Sequence, residues 1–268
     1  MSFVVEVSQA ERTQGFLHPE VARVATQTLH EQGAVLLRGV FPVEAIDVCY
    51  REFAARYGDR DVAQMTALSE MPPPNPVMQV GAGRFEIALR MTGAFGHPDL
   101  YANPVLLNFL RPQLGGADMR LSGFTAVASY PGAAAQHHHR DHDLLYSEHA
   151  GLTQTLPIYA VNVSVPLVDV DLAIGPTGIW LGSHRWPEDA IPNPDFITSV
   201  PFQRGDCILM DYRTLHIGVP NRSQVMRPIL YLVYSRIWFF DDVNHYHRAP
   251  LDMPHADFEQ LPTTSSCS

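Results

Sequence analysis

Eight consecutive polar residues lie inside the part of the chain that is richest in β-forming residues, since positions 136–143 read QHHHRDHD. So long a polar run needs a functional explanation, because strands that face a core are apolar there. In an extended strand, residues i and i+2 share one face. His139 and Asp141 can therefore direct an imidazole and a carboxylate toward one point, while Arg140 faces the other way. The run predicts a pair of metal ligands held by a β structure.

The sequence around this run predicts a β-rich second half. After Gly115 and Gly116, stretches rich in β-branched and aromatic residues are bounded by Pro, Gly, Asn or Asp, as strands are. We predict strands at 119–130, 152–168, 179–181, 207–211 and 227–238. This pattern is typical of an antiparallel sandwich or barrel.

The first half has a different pattern. Apolar residues recur at helical spacing in 18–31 and in 42–57, and a short apolar run at 34–38 lies between them. We predict helix, strand and helix in that order. From 58 to about 115 the periodicity weakens and Pro- and Gly-rich stretches interrupt it, so we expect irregular loops there.

No Ser/Gly linker and no repeat separates the two halves. We therefore predict a single domain over residues 1–268. It comprises a preface of helices and irregular loops (1–115), a β core (116–240) and a C-terminal tail (241–268). The nineteen residues after Ala249 have no apolar periodicity at their end, and we expect them to be loosely held.

Composition excludes a disordered chain. Hydrophobic residues make up 46% of the sequence, which is enough for a sizeable core. Charged residues make up 17%, below the roughly 25% usual for soluble domains. Such a surface has less charge than usual, and on that ground we expect a homodimer.

Charge and hydropathy also bear on the partners. The sequence has no Lys, its net charge is −10, and it has no basic run, so we expect no nucleic acid partner. No apolar stretch reaches the roughly 18 residues of a membrane span. The start of the sequence lacks a basic segment followed by an apolar block. We expect a cytoplasmic protein without a membrane partner.

A third metal ligand must come from a distant part of the chain. Two imidazoles and one carboxylate leave three positions open on ferrous iron, and oxygen chemistry needs those positions. His184 and His216 are the candidates, and we choose His216 because it follows the predicted strand at 207–211. The cysteines form no CxxC pair, so neither a thiolate zinc site nor a disulfide framework is supported.

Arg227 follows His216 by eleven residues, at the start of a predicted strand. The planar donors of an arginine match a carboxylate bidentately. Arg227 is therefore the expected anchor for the remote carboxylate of a dicarboxylate co-substrate.

These residues resemble the phytanoyl-CoA dioxygenase family of iron(II)- and 2-oxoglutarate-dependent oxygenases. The similarity comprises Q-x-x-H-x-D at 136–141, GPT-x-x-x-x-GSH at 175–184, and G-D-x-x-x-x-D-x-R-x-x-H-x-G-x-x-N-x-S-x-x-x-R at 205–227. It also includes VLLRGVFP at 35–42, so it spans roughly residues 20–240. The family often has Glu-Asn before its Gly-Pro/Ala-Thr motif, whereas this chain has Ala173-Ile174, so any role of that asparagine is missing.

The resemblance implies a mainly β fold with flanking helices, a double-stranded β-helix of the jelly-roll, cupin-like type. It also implies that Fe(II) is held by the residues that match the family's ligands, and that four further residues bind the co-substrate 2-oxoglutarate. The implied ligands are His139, Asp141 and His216. The implied co-substrate contacts are Arg227 at the far carboxylate, Gln136 at the metal-side carboxylate, and Thr177 and Ser223 nearby.

The implied reaction is oxidative decarboxylation of 2-oxoglutarate by O2 to succinate and CO2, coupled to oxidation of a small-molecule substrate. Hydroxylation is the default outcome. Halogenation is disfavoured because the carboxylate ligand, Asp141, is present; desaturation, epoxidation and rearrangement stay open. We expect the substrate walls to come from residues 65–91 and from the loop after Asp143.

Two other functions are consistent with the residues. One is a cupin-like hydrolase or isomerase that holds zinc or another divalent metal in the same triad. The other is a binding module that keeps the barrel but has lost turnover. Formation of succinate in the presence of ferrous iron and oxygen separates the dioxygenase from both.

Overall fold

The computed structural model describes residues 3–72, 74–116, 118–244 and 251–259. Within these residues the strands, β1 to β10 in chain order, are Val4–Glu6, Ala34–Arg38, Val77–Gly81, Arg84–Ala88, Met119–Ser129, Ala160–Pro166, Thr177–Ile179, Cys207–Asp211, His216–Gly218 and Arg227–Arg236. The helices, α1 to α8, are Gln9–Gln14, Pro19–Gln32, Val43–Tyr57, Val62–Ser69, Pro98–Tyr101, Pro104–Gln113, Ala150–Thr155 and His255–Phe258. In this described part, no helix combines the length and the apolar character that a membrane-spanning segment requires.

Two sheets form the β core. The large sheet has the strand order β1-β2-β8-β6-β10-β5-β4-β3, and β7 and β9 pair in a second, small sheet. Single β-bridges extend the small sheet on both sides, from His139 to His216 and from Ile179 to Thr198. The large sheet contains strands from both halves of the sequence, so the two halves share one sheet.

The two sheets face each other as the layers of a double-stranded β-helix do. Ile179 of the small sheet belongs to the same hydrophobic cluster as Ile208, Met210 and Ile229 of the large sheet. The expected fold class, mainly β with flanking helices in a double-stranded β-helix, is confirmed. Strand pairing among the described residues leaves two sheets and does not close them into one hydrogen-bonded barrel.

Side chains along the central strands alternate between two environments, because successive residues of a strand point to opposite faces. On β5, Phe124 and Ala126 belong to the main hydrophobic core. Gly123, Thr125 and Val127 face the cavity between the sheets. Since both faces are covered, β6 and β8 are buried along their whole length. The inner face of the large sheet is thus a wall that positions the site.

Helices α2, α3 and α6 contribute apolar residues at helical spacing to the main core, among them Leu29, Phe53 and Leu110. Helix α2 ends at Gly33, whose φ of 76° is a left-handed conformation that glycine adopts without strain. A Cβ atom at this position would also overlap the ring of His184. The helices predicted at 18–31 and 42–57 and the strand predicted at 34–38 are confirmed.

The region 58–115 is more regular than predicted. It contains α4, the β3–β4 hairpin and α6, and the hairpin adds two strands to the edge of the large sheet. Gly81 pairs with Arg84, and Gly83 has a φ of 67° in the connecting turn. Two-residue hairpin turns favour glycine because they use positive φ. The prediction of irregular loops is wrong here, because glycines that close a hairpin were interpreted as breakers.

The prediction of a strand at 152–168 is wrong at the N-terminal end of this range. Residues Ala150–Thr155 form α7, and the strand covers only Ala160–Pro166. A short apolar stretch does not by itself distinguish a buried strand from a helix. The strands predicted at 119–130, 207–211 and 227–238 are confirmed as β5, β8 and β10, each within two residues.

The tail predicted from residue 241 onward is held in part. Leu251 and Met253 pack against the main core, so this portion of the chain is not loose. Apolar side chains stabilise it there, although the sequence has no periodicity to reveal them. The tail residues 245–250 and 260–268, including Cys267, lie outside the described residues.

Candidate active site

A β-bridge joins the two histidines that the sequence places far apart. The His139 N–H donates to the His216 carbonyl oxygen at 3.0 Å, and the His216 N–H donates to the His139 carbonyl oxygen at 2.9 Å. The two imidazole centroids are 4.3 Å apart. The edge of the small sheet therefore places both rings side by side at the cavity.

Arg140 anchors the segment that carries His139 and Asp141. Its Nε donates to the Arg213 carbonyl oxygen at 2.9 Å, and its Nη2 donates to the carbonyl oxygens of Trp186 and Pro187, both at 3.3 Å. These contacts tie the segment to two neighbouring loops. A charged side chain between the two ligands thus serves to hold their main chain in place.

Asp141 completes a compact set of three side chains. One potential ligand atom from each of His139, Asp141 and His216 lies within 4.8 Å of the other two. His216 Nε2 lies 3.5 Å from Asp141 Oδ1. Two imidazoles and a carboxylate that converge in this way form a facial set that leaves further positions of a metal open. The structure brings the three predicted ligands together.

Main-chain carbonyl groups orient both rings. His139 Nδ1 lies 3.0 Å from the His137 carbonyl oxygen, and His216 Nδ1 lies 3.0 Å from the Thr214 carbonyl oxygen. A carbonyl oxygen accepts hydrogen bonds only, so each Nδ1 carries the proton. Each Nε2 is then left with its lone pair, the form in which imidazole binds a metal.

Burial affects ionisation at the site. Loss of hydration, and then the proximity of His216, lower the pKa of His139 to about 3, so its ring is neutral at physiological pH. Burial raises the pKa of Asp141, whereas His216 and a hydrogen bond from Asn162 lower it. A bound cation would favour the ionised carboxylate. The donor set therefore suits a divalent metal.

Asn162 of β6 touches the carboxylate ligand and was not predicted from the sequence. Its Nδ2 donates to Asp141 Oδ2 at 2.9 Å, and its side chain is buried. This bond leaves Asp141 Oδ1 as the oxygen nearer His216. The available signal was an amide in the mostly apolar strand AVNVSVP, because a buried polar group needs a partner.

Arg227 begins β10 and is 2% exposed. Among the described residues, its Nε and Nη1 atoms have no hydrogen-bond partner. Burial, and then the nearby charge of Arg84, lower the pKa of Arg227 to about 10, so it is still a cation at neutral pH. A buried cation with unsatisfied donors fits an anionic ligand, because leaving such donors unpaired is costly.

The other predicted co-substrate residues are distributed differently. Gln136 and Thr177 line the cavity. The Gly218 N–H donates to Gln136 Oε1 at 3.1 Å. Neither Arg227 nor Ser223 is among the described residues that line this cavity. The Ser223 hydroxyl donates within its own turn to Asn221 Oδ1 at 2.8 Å.

Arg84 of β4 is a second buried cation, which sequence reasoning missed. Its Nη2 donates to the carbonyl oxygens of Ala134 and Val219, both at 3.0 Å. A Cβ atom at Gly218 would overlap both Arg84 Nη1 and Gln136 Oε1, so only glycine allows these groups to approach. No sequence signal marked Arg84, because its proximity to the site depends on the hairpin.

The ligand set lies in a cavity of about 380 Å³ between the two sheets. Met78, Val80 and Glu86, within the predicted wall 65–91, line its outer part. Residues 144–159, the loop also expected to form a wall, contribute no lining residue among those described. The cavity therefore combines the polar triad with a lining that mixes apolar and polar side chains.

Most of the chain is similar in sequence or fold to several known proteins. The sequence model of the phytanoyl-CoA dioxygenase (PhyH) family matches residues 29–229. Dioxygenase olcK of Penicillium canescens is 26% identical over 238 residues, which cover 88% of this chain and 76% of that protein. The iron/alpha-ketoglutarate-dependent dioxygenase okaE of Penicillium ochrochloron is 25% identical over 214 residues, which cover 78% and 68%. The structure of the non-heme alpha ketoglutarate dependent epimerase SnoN from nogalamycin biosynthesis has the same fold (TM-score 0.59, 18% identity, 87% of this chain and 91% of that chain).

Proposed function

The chain belongs to the phytanoyl-CoA dioxygenase family, and on that premise we propose that it oxidises a small organic molecule at an iron(II) ion held by His139, Asp141 and His216. It is a 2-oxoglutarate-dependent dioxygenase, which converts 2-oxoglutarate and O2 to succinate and CO2. Membership of the family and the named dioxygenase relatives support a dioxygenase over a cupin-like hydrolase or isomerase. The convergence of three ligand atoms within 4.8 Å carries the ligand assignment.

The residues present fit ferrous iron. Both imidazoles carry their proton on Nδ1, so each can offer Nε2 to the metal, and Asp141 can offer Oδ1. Such a set leaves three positions for the co-substrate and O2. Iron(II) with bound 2-oxoglutarate supplies the means of activating O2 for hydrogen abstraction from the substrate. The chain contributes the orientation of the ligands and a partly enclosed cavity.

Arg227 and Gln136 are the proposed co-substrate contacts, with Thr177 beside them. Arg227 would bind the far carboxylate through its unsatisfied guanidinium donors, and the neighbouring charge of Arg84 adds to the attraction. Gln136 Oε1 already accepts from Gly218, so its Nε2 group is the donor offered to the metal-side carboxylate. We assign Ser223 a role within its turn and no contact with the co-substrate.

Hydroxylation of a small, largely apolar molecule is the proposed outcome, in the biosynthesis of a secondary metabolite. Met78, Val80 and Val127 are among the residues that line the same cavity as the triad, and their apolar side chains suit an apolar part of a substrate. Asp141 occupies the position that a halide would need, so chlorination is not proposed. The cavity lining and the position of the triad together would determine which carbon atom is oxidised.

The charge of the sequence bears on the partners and the location of the enzyme. A net charge of −10 without a basic run disfavours nucleic acid as a partner. We propose a cytoplasmic protein with neither nucleic acid nor a membrane as a partner, which acts on a small molecule as a homodimer.

Consumption of 2-oxoglutarate without substrate tests the proposed function. We expect the wild-type protein with iron(II) and O2 to form succinate, and the Asp141→Ala variant to form none above background, because it lacks the carboxylate ligand. Asp143→Ala is the matched control, since it removes an exposed carboxylate of the same polar run and should retain turnover. Full turnover by Asp141→Ala would overturn the ligand assignment. Absence of succinate from the wild type would overturn the proposed turnover itself.

A further inference from the structure

A short turn after β10, residues 241–244, is built around the buried carboxylate of Asp241. Asp241 Oδ1 accepts from the Asn244 N–H at 2.9 Å. Asp241 Oδ2 accepts from the Tyr212 hydroxyl at 2.8 Å and from Asn244 Nδ2 at 2.9 Å. Burial raises the pKa of Tyr212 well above its usual value, so the phenol keeps its proton and donates. One carboxylate thus joins the turn to the segment that follows β8.

The same turn reaches the main chain of the proposed carboxylate ligand. Asn244 Nδ2 also donates to the Asp141 carbonyl oxygen at 2.6 Å. On its other side, the Asp141 N–H donates to the Tyr212 carbonyl oxygen at 3.3 Å. Asp141 is therefore held at both its N–H and its C=O by two residues that Asp241 connects to each other. The four residues form a closed ring of hydrogen bonds.

Aromatic packing keeps the turn in place. Phe239, just before the turn, is 2% exposed. Its ring centroid lies 4.7 Å from that of Tyr159, 5.3 Å from that of His142 and 6.0 Å from that of Tyr212. His142 directly follows Asp141 in the sequence. The apolar anchor and the hydrogen-bond ring therefore hold the same short segment from two sides.

We propose that Asp241 and Asn244 are positioning residues for Asp141, and that the turn they form raises the affinity of the site for its metal. The inference rests on the proposed function, in which Asp141 binds the iron. Asp241 and Asn244 lie beyond residue 229, where the match to the family model ends. Asp241 does not belong to the cluster of three ligand atoms. Asn244 lines the cavity, and its side chain donates to the main-chain carbonyl of Asp141, so it acts on this residue through the backbone.

A carboxylate that must meet a metal within a few tenths of an ångström depends on the position of its main chain. Removal of a residue that orients a metal ligand through hydrogen bonds lowers the metal affinity about 10- to 100-fold. Asn162 fixes the carboxylate of Asp141, whereas the turn fixes its backbone. Loss of the turn would therefore leave Asp141 present, but its carboxylate would be less precisely oriented toward the metal.

Calorimetric titration of the full-length apoprotein with Co²⁺ under anaerobic conditions tests this inference. We expect Asn244→Ala and Asp241→Ala to weaken Co²⁺ binding by about 10-fold or more. Val243→Ala is the matched control, since this exposed side chain of the same turn makes none of these hydrogen bonds, and its affinity should equal that of the wild type. The visible spectrum of bound Co²⁺ should change in the first two variants only.

Thermal unfolding of the apoproteins separates positioning from a structural role. Asn244→Ala removes an exposed side chain, so we expect the melting temperature of this variant to stay within about 2 °C of the wild type. This variant therefore tests the inference even if Asp241→Ala folds poorly. Unchanged Co²⁺ affinity in Asn244→Ala, together with lost affinity in Asp141→Ala, would overturn this inference alone. Unchanged affinity in Asp141→Ala would overturn the proposed ligand set itself.

Discussion

Each imidazole of the triad is oriented by a carbonyl group two residues before it. The pairs are His139 with His137 and His216 with Thr214, each at 3.0 Å. A main-chain partner at so short a separation needs no distant side chain, so local backbone geometry alone sets the tautomer. Asp141 differs, since its orientation depends on Asn162, a residue from another strand. At the scale of residues, the tautomer of each histidine is set locally, whereas the orientation of the carboxylate depends on the fold.

Arg227→Leu tests the proposed co-substrate anchor. The variant removes the guanidinium group, which can form two charge-assisted hydrogen bonds with a carboxylate, and keeps an apolar side chain in a buried site. We therefore expect the KM for 2-oxoglutarate to rise by about 10- to 100-fold. Steady-state succinate formation at varied 2-oxoglutarate measures it. Arg222→Leu, which changes an exposed arginine five residues earlier, should leave this KM unchanged. Equal saturation curves for Arg227→Leu and wild type would place the anchor elsewhere.

The connection between β8 and β9 carries Tyr212 and leads into His216, and a buried ion pair fixes its shape. Arg213 donates to Asp211 through Nε at 2.9 Å and through Nη2 at 2.7 Å. Its Nη1 donates to the carbonyl oxygens of Thr153 and Leu156, both at 3.0 Å, which ties α7 to this connection. At the scale of elements, one arginine thus joins a strand end, a loop and a helix beside the site.

Arg213→Ala should destabilise the protein strongly. It leaves the Asp211 carboxylate buried without its partner, and losing one member of a buried ion pair costs about 3–5 kcal/mol of unfolding free energy. Urea unfolding followed by circular dichroism measures this loss. Arg23→Ala removes an exposed pair with Glu20 on α2 and should change the unfolding free energy by less than about 1 kcal/mol. A similar small change for both variants would contradict the structural role of Arg213.

At the scale of the whole molecule, exposed apolar side chains gather just after β10. Ile237, Trp238, Phe240 and Val243 are each more than half exposed, although Phe239 between them is buried. An apolar patch of this kind on a domain of low charge is typical of an interface. The proposed homodimer would cover it with a second copy of the chain.

Gel filtration tests that arrangement. We expect the wild type to elute at twice the chain mass and a Trp238→Ser, Phe240→Ser double variant to elute at the monomer mass, because polar side chains would make burial of the patch unfavourable. Phe196→Ser is the control, since Phe196 is also exposed but lies far from these residues in the sequence. Elution of the wild type at the monomer mass would refute the dimer.

The sequence was informative wherever a short-range rule determined the structure. The i, i+2 relation between His139 and Asp141 and the predicted strand before His216 were enough to predict that these three side chains converge. Helical spacing identified α2 and α3. Arg84, Asn162 and Asn244 could not be predicted, because each reaches the site through pairing or packing with distant segments. The hairpin that carries Arg84 was missed for a related reason, since glycine-rich turns and loops have similar composition.

The main-chain bridge between His139 and His216 has a consequence for biosynthesis. A chain still emerging from the ribosome holds the HxD pair long before residue 216 becomes available, and a ligand pair alone binds metal weakly. The apoprotein must therefore complete its long-range β pairing before it competes for cellular iron. Metal binding by the complete proposed ligand set is thus expected only after this long-range pairing has formed.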